Sequence, residues 1–276
     1  MKSQESKPNL IKDPSKKDMG TSLDQLGEKR LEIKKERMRN LLKIAQTDEA
    51  LYREIMLSLG YKKNKIQFQE LAMILPYSEI CKLQDQEIIE KALLYRGGLI
   101  SSKDGLPKDF DVSLKMKKNV WKYQGVRPSN FPERRIKSIS GFLSESCDAG
   151  IYEYFRKRIQ ENLTSSVNKK NASQIVNRII SFKGVGQARG LEIFFNILLP
   201  FYEVIFENDG QVEIVKFLDA IYDNHPPLAD NSITKAMRKK LFQSRSGSDI
   251  VNSVKRYMGL IQLYNEGTKG GEDGNT

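Results

Sequence analysis

The chain has 276 residues, 46 Lys and Arg against 35 Asp and Glu, a net charge of +11, and 39% apolar and 9% aromatic residues. That supplies a folded core for one large domain or two small ones and excludes global disorder. Two cysteines without a CxxC spacing and one histidine, His225, argue against a disulfide framework, a structural zinc site and His-dependent catalysis.

Residues 1–22 are polar and Lys-rich, without an apolar h-region, and read as a disordered tail rather than a signal peptide. From position 23, Leu23, Leu26, Leu31, Ile33, Met38, Leu41, Leu42 and Ile44 recur at helical spacing. DEALYREIMLSLGY predicts a second helix closed by Gly60 in the C′ manner, and KNKIQFQELAMILP a third stopped by Pro76. EICKLQDQEIIEKALLYRGGLI gives one or two short helices ending at Gly97 and Gly98. A helix over about 109–123 then carries Trp121, the only tryptophan.

GVRPSNFPERR is a turn into a long helix, with Asn130 as cap, Pro132 in the first turn and Glu133 as capping-box partner. Residues 150–163 and SQIVNRIISF are helical. After a GVG turn, QARGLEIFFNILLPFYEVIFE is the most apolar helix pair of the chain. Asn196, Pro200 and Glu203 interrupt that stretch, so no membrane span is expected and the protein belongs in the cytoplasm. VEIVKFLDAIYDN, SITKAMRKKLFQ and IVNSVKRYMGLIQLYNE complete an all-α set, one multi-helix domain over 23–265, followed by a disordered tail over 266–276. Cys81 and Cys147 read as small core residues of a reduced protein.

Charge is segregated. Residues 115–137 and 156–189 each carry eight Lys or Arg and one acid, and 235–256 carry seven and one Asp. Residues 192–232 reverse this, with eight acids and one Lys. Basic faces concentrate polyanions such as DNA or RNA, although excess Lys also serves solubility.

Two basic constellations stand out. Arg127, Arg134 and Arg135 flank a Pro-containing turn at a helix start, where guanidinium forks and free N–H groups suit phosphate. On a purely structural reading, turn and capping chemistry explains most of those residue types without a ligand. Around the second, Lys183, Gly184, Gly186 and Arg189 resemble a helix-hairpin-helix turn that offers backbone N–H groups to phosphate. The alternative is a plain turn whose glycines supply φ > 0. Tyr123, Tyr152, Tyr154 and Phe155 fit core packing better than base stacking. Glu203 with Glu207, and Asp219 with Asp223, fit a solvated acidic face better than a two-metal site.

The order LGEKRLEIK, LYREIMLSLGYKKNKIQFQELAMILP, ALLYRGGLI, WKYQGVRPSNFPERRI, FKGVGQARGLEIFFNILLP, MGLIQLYNE resembles the C-terminal half of the bacterial domain-of-unknown-function 2851 family, over residues 23–265. LGYxxN at 59–64 and RPxNFPxRR at 127–135 are its most specific pieces. The family usually carries a nuclease-like N-terminal core and ends in a short cysteine cluster. Nothing here corresponds to the former, and Gly and acidic residues replace the latter. The resemblance thus implies the fold and a nucleic-acid context, without nuclease activity. The expectation is a non-catalytic, cofactor-free and metal-free protein that contacts DNA or RNA phosphates. Its alternatives are a module that docks a separately encoded nuclease-like subunit, or the remnant of a split gene.

Overall fold

The computed structural model describes residues 16–164, 166–181, 183–242 and 249–269, and every regular element among them is helical. The all-α expectation therefore holds. The chain divides into two compact units, residues 33–221 and residues 1–32 with 222–276. The expected tails shorten. Helix α1 spans Lys16–Leu42, with Asp18 in its first turn and Arg39 in its last, a placement that suits the helix dipole. Residues 266–269 belong to the last helix, so 1–15 and 270–276 are the parts of the expected tails outside the described residues.

The larger unit is built on α2 (Thr47–Leu59), which packs on α3 (Lys65–Ile74), and on α5 (Gln86–Arg96), which packs on α6 (Pro132–Ser146). Ala50, Leu51, Ile55, Phe68, Ile89, Leu93, Ile139 and Phe142 are almost fully removed from water, which is the main stabilising term for such a layer. The first turn of α2 also fastens two neighbours. Asp48 accepts the Tyr152 N–H at 2.7 Å, at the start of α7 (Ile151–Glu161). Glu49 accepts the Tyr77 N–H at 2.8 Å, at the start of α4 (Tyr77–Leu83). Neither α4 nor α7 has a side-chain cap of its own, so residues distant in sequence satisfy their orphan donors.

Three local expectations are corrected. Residues 109–123 contain only a 3₁₀ turn at Lys118–Val120. The segment's carbonyls bond outward instead: Leu114 O accepts Arg96 Nη1 at 2.7 Å, and the Met116 N–H reaches Arg96 O at 2.7 Å. Trp121 is still buried. Its Nε1 donates to Gly97 O at 2.6 Å, and its ring meets Phe68 edge-on. Gly60 does cap α2, but with φ −75°, and the left-handed conformation falls on Tyr61 at φ 47°. Asn130 does not cap α6. Phe131 holds that position without a side-chain bond, while Pro132 sits at the helix start as expected.

Helices α8 (Ala172–Ile179) and α9 (Gln187–Ile193) lead into α10 (Leu199–Asn208). The apolar stretch is not two separate helices. A π segment at Phe194–Leu198 joins α9 to α10, one turn before Pro200. Proline lacks an N–H and crowds the carbonyl four residues earlier, and a widened turn relieves both defects. No helix among the described residues is long and apolar enough to cross a membrane.

In the smaller unit, α11 (Val212–Asn224) contributes its last residues, followed by α12 (Ser232–Phe242) and α13 (Val254–Lys269). The N-terminal half of α1 crosses α13 at glycines. A Cβ on Gly27 would lie 2.4 Å from Lys255 O, and one on Gly259 would lie 2.2 Å from Leu23 O. Only glycine allows that backbone approach. Arg256 closes the contact with two 2.8 Å bonds to Asp24.

Candidate anion-binding site

Tyr61 follows directly on the end of α2. A bulky residue at positive φ is a genuine outlier, and such strain gathers at functional sites. Its ring is faced by two guanidinium groups from different parts of the chain. Arg189 of α9 lies with Cζ 3.6 Å from the ring centroid, and Arg135 of α6 with Cζ at 5.0 Å. Arg135 Nη2 donates to the Tyr61 hydroxyl at 2.8 Å and to Asn130 Oδ1. Asn130 thus orients an arginine rather than capping a helix. Asn64, 2% exposed, ties the same neighbourhood together: its side chain exchanges two bonds, at 2.9 and 2.8 Å, with the backbone of Lys122.

Arg189 is only 6% exposed. Its Nη1 bonds Ser58 O at 3.2 Å and the Glu192 carboxylate at 2.7 Å. Burial lowers the pKa of both guanidiniums from the ordinary arginine value, partly offset by Glu192, but an arginine stays charged at neutral pH. Two positive charges therefore face one half-exposed carboxylate. Nε and Nη2 of Arg189 and Nε of Arg135 are buried without a hydrogen-bond partner. Buried donors are nearly always paired, so these three orphans are donor capacity that the fold leaves unused beside Tyr61.

The expected residues separate into three groups. Arg135 and Arg189 come together. Arg127 and Arg134 are exposed and make no ion pair among the described residues. Gly184 has φ 84°, and a Cβ there would lie 2.2 Å from Ser138 O, so this glycine is needed to seat the turn on α6. Lys183 is exposed and runs its stem past Gly141, while Gly186 borders open space. Tyr61, Ser58 and Glu192 were not foreseen. A tyrosine directly after a helix-ending glycine was the available signal.

The aromatic residues among the basic segments are used in packing. Tyr152 stacks on Tyr202, Tyr123 donates to Glu133 at 2.6 Å, and Phe155 is fully buried. The expected acidic face holds at Glu207, Asp219 and Asp223, which are exposed, and is corrected at Glu203, which is 1% exposed and lies 3.4 Å from Lys35, itself also paired with Glu207. Asp223 pairs with Lys255 at 3.1 Å. No group of three or more His, Cys, Asp and Glu among the described residues is arranged to hold a metal ion.

A family model described as "Protein of unknown function (DUF2851)" matches residues 8–185, which include Tyr61 and Arg135 but not Arg189. No curated protein and no solved structure matches the chain.

Proposed function

The chain belongs to the DUF2851 family of proteins of unknown function, and from that premise we propose that it binds the phosphate backbone of nucleic acid without catalysing a reaction. The observation that carries this reading is the pair Arg135 and Arg189 on one strained tyrosine, with three buried guanidinium donors unpaired. A phosphate carries enough acceptors for all three, and guanidinium forks match its geometry. Exposed Arg127, Arg134 and Lys183 add charge that a neighbouring phosphate would meet. Such contacts position a strand without reading its bases. Cytoplasmic DNA or RNA is the natural ligand.

The test is fluorescence anisotropy with labelled duplex and single strands of unrelated sequence, at low and near-physiological salt. Arg189→Met and Arg135→Gln should each weaken binding by a similar factor on every sequence. Unaltered affinity in both variants would remove the site from the reading.

A second reading has its own support. The resemblance implies a nuclease-like partner for the helical part, and Ile33 in α1 and Ile44 just beyond it are 53% and 79% exposed. Large apolar side chains in water suit a protein partner. Co-expression with a separately encoded nuclease-like neighbour should then give a complex that Ile33→Lys weakens. Recovery of the two proteins apart would count against it.

A further inference from the structure

Cys81 and Cys147 lie 66 positions apart in sequence but line one open cleft of about 600 Å³. Cys81 stands on α4, and Cys147 closes the C-terminus of α6. Their side chains interact with each other, and both are free thiols of intermediate exposure. The expectation that they fill the core is therefore corrected. Each thiol is held in place by its surroundings. Cys147 Sγ bonds Leu143 O at 3.1 Å, and Tyr77, which touches both sulfurs, is fixed by a 2.9 Å bond from its hydroxyl to Ser146 Oγ. Asp48 and Glu49 also line the cleft, but the Tyr152 and Tyr77 N–H groups already engage them, so neither is a ready base.

From this arrangement we infer that Cys81 and Cys147 form a reversible dithiol–disulfide pair, a modification site whose oxidant is a small hydroperoxide admitted by the cleft. The two sulfurs are not equivalent. Interaction with Cys147 first, and with Tyr77, favours the Cys81 thiolate and lowers its pKa, whereas Cys147 is pushed far up by its interaction with Cys81 and by burial. Cys81 is the attacking sulfur, since the thiolate is the nucleophile. Its lone pair displaces water or an alcohol from the hydroperoxide, leaving Cys81 as a sulfenic acid. The Cys147 sulfur then attacks that sulfur, gives up its proton and expels a second water. The sum is two thiols and one hydroperoxide to one disulfide, water, and a second water or alcohol. A thiol reductant reverses the step through a mixed disulfide. The crosslink would tie α4 to the end of α6, whose other end carries Arg135.

The test uses the full chain with hydrogen peroxide, followed by alkylation and intact mass. Wild type should lose two hydrogens and become closed to alkylation, with Cys81 and Cys147 joined in one peptide pair within a monomer. The disulfide should form more slowly in urea, where the fold no longer holds the thiols together. Cys147→Ser should stop at a sulfenic acid on Cys81 that dimedone traps, and Cys81→Ser should react several-fold more slowly. The oxidised wild type should melt at a higher temperature and return to the starting value with dithiothreitol. Two thiols that remain alkylatable after peroxide, crosslinked dimers in place of an internal bond, or equal rates in folded and unfolded protein would overturn the inference.

Discussion

Glu203 shows how a carboxylate predicted to face solvent becomes a liability when buried. Desolvation first, and Asp219 second, raise its pKa from 4.5 to about 8, while Lys35 pulls it down. A carboxyl whose folded pKa is raised contributes stability that is complete below its unfolded value and lost as pH climbs through the folded one. Here the window runs from 4.5 to about 8. At one pKa unit per 1.36 kcal/mol, the shift is worth on the order of 5 kcal/mol. Glu203→Gln should therefore flatten the pH dependence and raise the urea midpoint at pH 8 more than at pH 5, with Glu207 still serving Lys35. An equal change at both pH values would count against a buried, proton-holding Glu203.

Arg189 invites the complementary experiment. A buried charge kept only for structure usually costs about 3–5 kcal/mol when its partner set is broken. Here two of its nitrogens have no partner, and the Ser58 carbonyl also accepts the Tyr61 N–H at 3.4 Å. Arg189→Met keeps an adaptable chain against the tyrosine ring and should leave stability within about 1 kcal/mol of wild type. A loss several times larger in denaturant titration would mean that the guanidinium serves the fold rather than a ligand.

At the scale of elements, helical periodicity revealed most of the helices, because a 3.6-residue apolar repeat leaves little choice. It failed where tertiary bonds replace local ones. The 109–123 segment has its backbone engaged by Arg96, and nothing in SLKMKKNV announces that partner. Asn130 and Glu133 had the types of a capping box, yet they serve Arg135 and Tyr123. Half of the candidate site was legible for the same reason. Arginines beside turns can be seen in a sequence, but the tyrosine that gathers them cannot, since its role depends on a φ of 47° and a neighbour 128 positions away. Glycines at a helix crossing are also silent. Gly27→Ala and Gly259→Ala each thrust a methyl group into backbone and should cost about 1–3 kcal/mol or more. Hydrogen exchange should show the loss first in α13. Protection there equal to wild type would contradict the close crossing.

For the whole molecule, a net charge of +11 arranged in blocks sets how any polyanion is held. The acidic block is largely spent on internal cations: Glu203 and Glu207 on Lys35, Asp223 on Lys255, Asp230 on Arg238. Arg127, Arg134 and Lys183 stay in solvent. Backbone contacts of this kind release counterions, so log affinity should fall linearly with log salt, by roughly 0.9 for each phosphate neutralised on a duplex. The most direct measurement is that slope, taken for wild type and for Arg135→Gln with Arg189→Met in one chain. If the two arginines share one phosphate, the slope should shrink by about 1 in the double variant, by the same amount on unrelated sequences. Binding indifferent to salt, or a slope that the double variant leaves unchanged, would contradict a phosphate site at Arg135 and Arg189.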